Sequence, residues 1–238
     1  GVRYFTRTAL PGNRVPAAKF SPLSKALLPL YPAENAVPNN QFTRTNNFFN
    51  SGTAVAENDK FDVRLDHNFS EKFKIWGRGS YQVVNNTPFN GFGNIATSIG
   101  DGPLHQDNYA HTGTAVYTLN PSTVFQFTYG FTRFAQQRYP FSRDYDIRKL
   151  GFPQYMYDAA AAQGLEFPQF SINNFSNLGQ AGFTTLLQYP TSHNLRFDTT
   201  KILATHTIKF GYQFNKLFMN FTQLGQPAGQ FSFGDTFT

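Results

Sequence analysis

Residues 60–81, KFDVRLDHNFSEKFKIWGRGSY, constrain the fold more than any other part of the chain. Phe61, Val63, Leu65 and Phe69 fall on one parity, and Asp62, Arg64, Asp66 and Asn68 on the other. After a polar turn at Ser70, Glu71 and Lys72, Phe73, Ile75, Tyr81 and Val83 take one face, and Lys74, Arg78, Ser80 and Gln82 the opposite one. Successive side chains of a strand point to opposite faces, so this period predicts two antiparallel strands joined by a tight turn. Both runs are long, and their polar faces carry charge. A strand tilted across a hydrocarbon layer needs roughly ten residues, so the pattern suits a transmembrane barrel better than a soluble sandwich.

The same unit recurs. Residues 108–119 and 123–138 form a second pair around Asn120, Pro121 and Ser122, with Phe125, Phe127, Tyr129 and Phe131 on one face of the returning strand. Residues 193–203 and 206–215 form a third, whose returning strand alternates Ile208, Phe210, Tyr212 and Phe214 with Thr207, Lys209, Gly211 and Gln213. Only Leu195 and Phe197 mark the apolar face of the strand before it. A further strand is expected to start near Gln230, with Phe231 and Phe233 on one side.

Within each pair the turn is short. Between pairs the linkers are long, at 86–107, 139–190 and 221–229. Compact domains usually connect elements with about four to six residues. Alternating short turns and long loops are what outer-membrane barrels show, with the short turns periplasmic and the long loops outside. The longest loop has aromatic–proline steps at Tyr139–Pro140, Phe152–Pro153, Phe167–Pro168 and Tyr189–Pro190, which favour extended and turn geometry. Residues 158–163 are expected to make one helical turn and no more.

The expected fold class is therefore all-β: six or seven antiparallel transmembrane strands of a larger barrel, forming an open sheet when taken alone. Phenylalanine, at 28 of 238 residues against 2 Met and 1 Trp, suits lipid-facing strands and interfacial girdles. No apolar run reaches 18 residues, so no transmembrane helix is predicted. The absence of cysteine excludes a disulfide framework and cysteine-type metal sites. The net charge of +6 is spread along the chain without a basic cluster, so no nucleic-acid partner is expected. The chain begins at Gly1 with no basic or apolar leader and ends within a strand-like run, which reads as an internal piece of a longer protein.

Candidate sites are few. Arg64, Asp66, Lys74, Arg78 and Lys209 lie on polar strand faces and read as lumen-facing. Asp66 and His67 point to opposite faces and cannot converge on a metal or substrate. Asp101, His105, Asp107 and His111 collect ligand-type residues in an expected loop, but without zincin spacing, and no metal site is assigned. The glycines at 91 and 93 lack a phosphate-loop pattern, and no Gly-x-Ser-x-Gly elbow is present. No cofactor and no enzymatic activity are expected. Trp76 breaks the parity by standing on the polar face. In the longest loop Tyr139, Tyr155, Tyr157 and Phe170, with Phe141 and Phe167, could stack on a small-molecule ligand. The competing reading is that these rings form the loop's own small core.

The hairpin FDVRLDHNFSEKFKIWGRGSY resembles a segment of TonB-dependent outer-membrane receptors of the Oar-like kind, with Arg64, Asp66, His67, Phe69, Ser70, Lys72, Ile75, Trp76, Arg78, Ser80 and Tyr81 at matching positions. Gly79 departs, since an aromatic is usual there. PGNRVP at 11–16 followed by SPLSKALLPLYP is similar to the stretch leading from plug to barrel. LGFP at 150–153, HTIKFG at 206–211 and GQFSF at 229–233 resemble further family motifs, in the same order. The resemblance implies a barrel near 22 strands that imports a scarce or bulky nutrient (siderophore, oligosaccharide or peptide) across the outer membrane of a Gram-negative bacterium. Its partners would be outer-membrane lipid, the receptor's own plug domain and remaining strands, and the TonB complex. On that basis residues 1–58 are the plug-to-barrel lead-in and loop region, and 59–238 a partial barrel with extracellular loops at 86–107 and 139–190. A passive porin, a surface-adhesion barrel and a soluble carbohydrate-binding module are the alternatives.

Overall fold

The computed structural model describes residues 10–97 and 102–234. Its main element is one antiparallel sheet. Strands β1 (Val55–Asn68), β2 (Phe73–Thr87), β3 (Leu104–Asn120) and β4 (Thr123–Arg138) follow one another as a meander. After a small strand β5 (Gln169–Ile172), two strands share the far side of β4. β6 (Leu186–Gln188) pairs with Gln136–Arg138, and β7 (Thr191–Leu203) with Thr123–Arg133. β8 (His206–Phe218) pairs with β7, and β9 (Phe221–Gln223) with β6. β6 and β7 are thus one path broken at Tyr189–Pro190, where proline supplies no ladder donor. β8 and β9 form the matching path. The sheet is six continuous walls, built from eight strands.

The three hairpins turn at the expected places. Ser70 Oγ accepts from the amides of Lys72 and Phe73, and Asn120 Oδ1 accepts from the amide and hydroxyl of Ser122. Short polar side chains that mimic a backbone turn are the reason these residues sit there. The six long strands run 13 to 17 residues, beyond the roughly ten that a tilted membrane crossing requires. Among the described residues no pairing joins β1 to β8 or β9, so the sheet is open.

Register confirms the two-faced pattern. One row runs Leu65, Gly77, Gly113, Tyr129, Leu195, Phe214; the next runs His67, Ile75, Ala115, Phe127, Phe197, Tyr212. Phe61, Val63, Leu65, Phe125, Phe127, Tyr129, Phe210, Tyr212 and Phe214 all share this face. Most are well exposed, with Leu65 at 74% and Tyr212 at 69%. A continuous apolar surface of this extent marks a membrane or interaction face.

The buried core lies elsewhere. At the long-loop end, helix α1 (Pro22–Leu27), residues 88–97, the loop after β4 and strand β10 (Gln230–Phe233) pack into one cap. Leu27, Ala96, Leu150, Phe167, Phe170 and Leu178 are buried together, and Phe231 stacks on Phe152 and Phe170 at 5.1 and 5.4 Å. β10 pairs in parallel with β5, so the strand expected at Gln230 joins the cap and not the main sheet. Phe170, expected as a ligand contact, has no exposed surface and is a packing residue. The single helical turn expected at 158–163 is instead helix α2, Gln154–Ala161, two turns long and started by Pro153.

Several boundaries also move. β1 begins at Val55, before the expected barrel start at 59, and β3 begins at Leu104, so His105 and Asp107 are strand residues and not loop residues. β1 runs from the cap end towards the turn end, and the segment before it packs into the cap: Tyr31 Oη donates to the Ser176 carbonyl, and Asn94 Nδ2 to that of Leu30. The stretch expected as a plug lead-in therefore meets the sheet from the loop side.

Candidate functional site: the polar wall and its cap

The face opposite the apolar one carries Arg64, Asp66, Lys74, Arg78 and Lys209. Arg64 stands directly opposite Arg78, Asp66 opposite Trp76, and Lys209 opposite Thr200. The charges are organised by short pairs. Arg64 makes two bonds of 2.8 Å to Asp66, two residues along the same strand and hence on the same face. Its guanidinium also lies 4.5 Å from the centre of the Trp76 ring. That contact explains the parity break at Trp76, since an indole face is the best aromatic partner for a cation.

Arg78 is drawn to a different acid. Asp62 Oδ1 accepts from Arg78 Nη2 at 2.8 Å and from the Ser80 hydroxyl, and Lys60 Nζ lies 3.3 Å from Asp62 Oδ2. On β7, Arg196 and Asp198 repeat the two-residue pairing, with Nε 2.7 Å from Oδ2. The structure brings Arg64 and Arg78 to adjacent positions and leaves Lys74 and Lys209 on separate strands. Neither lysine has an ion pair among the described residues. Lys209 lines an open depression of about 450 Å³ with Gln126, Arg196, Asp198 and Gly211.

Above these charges, towards the cap, the wall becomes amide-rich, with Arg138 among the amides donating to the Thr184 and Phe183 carbonyls at 3.0 and 3.1 Å. Gln82 Nε2 donates to Asn58 Oδ1 at 2.8 Å, Asn108 Nδ2 to Gln82 Oε1 at 3.1 Å, and Gln106 Nε2 to Asn108 Oδ1 at 3.1 Å. Gln188 donates to Gln136 at 2.6 Å. A second open depression, about 330 Å³, is lined by Lys60, Arg78, Ser80, Gln82, Asn108 and Thr112. Sequence parity already put Asp62, Ser80 and Gln82 on this face. The Arg196–Asp198 pair escaped notice because the apolar residues of β7 mark its faces weakly.

The loop aromatics divide. Tyr155 is 72% exposed. Tyr139 and Tyr157 are half-buried, each under a guanidinium: Arg143 lies 3.7 Å from the Tyr139 ring centre and Arg148 3.9 Å from that of Tyr157. Arg148 is also held by Asp146, and this contact keeps the Asp146 carboxyl below its ordinary range. Phe167 and Phe170 are core. The four ligand-type residues at 101–111 are placed as follows. Asp101 lies outside the described residues. His111 stacks on Phe131 at 5.9 Å, while His105 and Asp107 bond each other and Asn85 and Tyr81. No group of three or more ligand-type residues that could hold a metal is found among the described residues.

The site is thus a wall of paired charges and amides, backed by an apolar outer face and closed at one end by a packed cap. It presents hydrogen-bonding surface along a path. No helix among the described residues is long and apolar enough to cross a membrane, so any crossing is made by strands. No curated protein and no solved structure matched the chain. A family model described as an outer membrane beta barrel domain matches residues 2–238, and the chain belongs to that family.

Proposed function

We propose that the chain is part of the wall and outer cap of a TonB-dependent, Oar-like importer. Arg64, Asp66, Lys74, Arg78 and Lys209 face its lumen. The observation that carries the reading is the open, six-walled sheet with chemically opposite faces. Six walls that do not close among the described residues support a barrel of more strands than these, and barrel diameter grows with strand number. Porins of about 16–18 strands leave an aqueous channel and transporters of about 22 strands have a plugged lumen; the ordered motifs at 60–81, 150–153 and 206–211 resemble the plugged family. The polar wall then contacts the plug and a small-molecule ligand, and the apolar face contacts outer-membrane lipid. The role proposed is binding and passage, without catalysis, cofactor or nucleic acid. Within the cap, the exposed ring of Tyr155 is a ligand contact, with Tyr139 and Tyr157 held half-buried under Arg143 and Arg148.

The test is reconstitution of the full-length receptor in liposomes. An importer stays closed to small neutral sugars in a swelling assay, and its periplasmic side binds the soluble C-terminal domain of TonB. Rapid swelling without TonB binding would support the passive porin instead.

A further inference from the structure

The apolar face carries three cations on β4–β8, and they are not equivalent. Lys201, near the turn end, is satisfied by the Ser122 and Thr123 hydroxyls at 3.2 and 2.8 Å. Arg133 and Lys216, at the cap end, have no ion pair among the described residues. Arg133 pairs in register with Thr191, and Lys216 with His193, so the two cations flank neighbouring residues of β7 from either side. Two strand spacings apart and offset by two residues, their backbones stand roughly 12 Å apart.

The surface between them is aromatic and ordered. Tyr129 Oη is 2.8 Å from His193 Nδ1, and His193 meets the edges of Phe131 and Phe218 at 5.3 and 5.9 Å. Lys216 Nζ sits 4.9 Å from the Phe218 ring centre, and Arg133 5.8 Å from that of Tyr189. Two of the acids on this face are three strands from β4, and the third, Asp107, pairs with Ala135 two residues from Arg133 but forms no ion pair with it. Glu57 and Asp59 are on β1, and Asp107 on β3 is occupied by Tyr81 and His105.

Unpaired cations bordering a membrane band are costly unless an anion neutralises them. In an outer-membrane barrel the long-loop end faces outwards, which places Arg133 and Lys216 at the headgroup level of the outer leaflet. We propose that Arg133, Lys216 and the aromatic bed between them form a docking site for the phosphate groups of an anionic outer-leaflet lipid. The rings lie against its acyl and sugar portions, and the long cationic side chains reach up to its phosphates, as snorkelling side chains do. The site depends on the membrane-facing surface and not on import.

The test uses the full-length protein in phosphatidylcholine nanodiscs, titrated with bisphosphorylated lipid A and, separately, with its dephosphorylated form. Native mass spectrometry counts the bound lipid. The R133Q/K216Q double variant is expected to bind phosphorylated lipid A roughly 25-fold more weakly, about fivefold per cation. The double variant R133K/K216R should retain binding, and K74Q/K209Q, on the opposite face, should match wild type. Wild-type affinity for the dephosphorylated lipid should fall to that of R133Q/K216Q. Equal binding of both lipids by the wild type, or unchanged binding by a correctly folded R133Q/K216Q, overturns the proposal.

Discussion

Replacing Glu166 by glutamine isolates one buried carboxyl of the cap. Glu166 lies between Leu165, whose carbonyl accepts from the Asp144 amide, and Phe167, whose amide donates to Ser142 Oγ at 3.0 Å. Only 9% of the residue is exposed. Burial raises its pKa from an ordinary 4.5 to about 7, against a smaller opposing pull from the Thr185 hydroxyl. The folded cap therefore holds the proton more tightly than the opened one. Below about pH 4.5 both states are protonated and nothing is lost. As pH rises towards 7 the opened state ionises first, so cap stability falls, and above 7 the full penalty applies. Direct conversion of the shift gives about 3 kcal/mol. The carboxyl keeps some solvent contact, so about 1–2 kcal/mol is expected after screening. Glu166→Gln removes the ionisation and keeps a neutral group beside Thr185. Hydrogen exchange at the amides of Phe167, Phe170 and Leu178, corrected for intrinsic rates, reads the opening free energy. Wild type should open about ten times more readily at pH 8 than at pH 4.5, and the variant should show no such difference. A wild-type profile that is flat with pH, or one that the variant reproduces, would refute the argument.

Phe170→Ala should cost the cap about 3–5 kcal/mol, because it empties a fully buried ring site; trypsin cleavage after Arg148 and Lys149 should accelerate while the sheet stays intact. Phe127→Arg should lower the stability of the protein in lipid vesicles by about 2–4 kcal/mol, whereas Thr128→Arg, one residue on and facing the other way, should cost under about 1 kcal/mol; urea unfolding distinguishes them. Gly211→Ala should destabilise the β7–β8 pair by about 1–3 kcal/mol in the same assay, since its added carbon would fall 2.5 Å from the Phe197 carbonyl and 2.9 Å from Asp198 Oδ1.

The hairpins were legible in the sequence because strand faces repeat every two residues, and the alternation at 61–69, 125–132 and 207–214 is nearly unbroken. That periodicity alone put Phe61 and Phe210, at opposite sides of the sheet, on one face. The strand ends were not legible. Residues 104–108 read LHQDN, with no apolar alternation, and they join β3 because Asn86 to Gln82 and Arg138 to Phe134 offer ladders on either side of them. Pairing at β6 was hidden for a similar reason, since Pro190 interrupts the run that would have announced it. The cap core was the least legible part. Leu27, Ala96, Phe170 and Phe231 come from four distant segments, and no local period brings them together. The aromatic–proline steps announced an ordered loop, but not which rings would be interior. That is why Phe170 read as a ligand contact, while its neighbour in the argument, Tyr155, does remain at the surface.

Since the chain contains no cysteine, single cysteines can be introduced at each position from 124 to 132 and from 207 to 215 and spin-labelled in the reconstituted receptor. Accessibility to oxygen, which partitions into lipid, and to a water-soluble nickel complex then reports which way each side chain points. The two-faced wall predicts oxygen maxima at 125, 127, 129 and 131 and at 208, 210, 212 and 214, with nickel maxima at the positions between. Uniform accessibility along either strand, or maxima on the opposite parity, would contradict it.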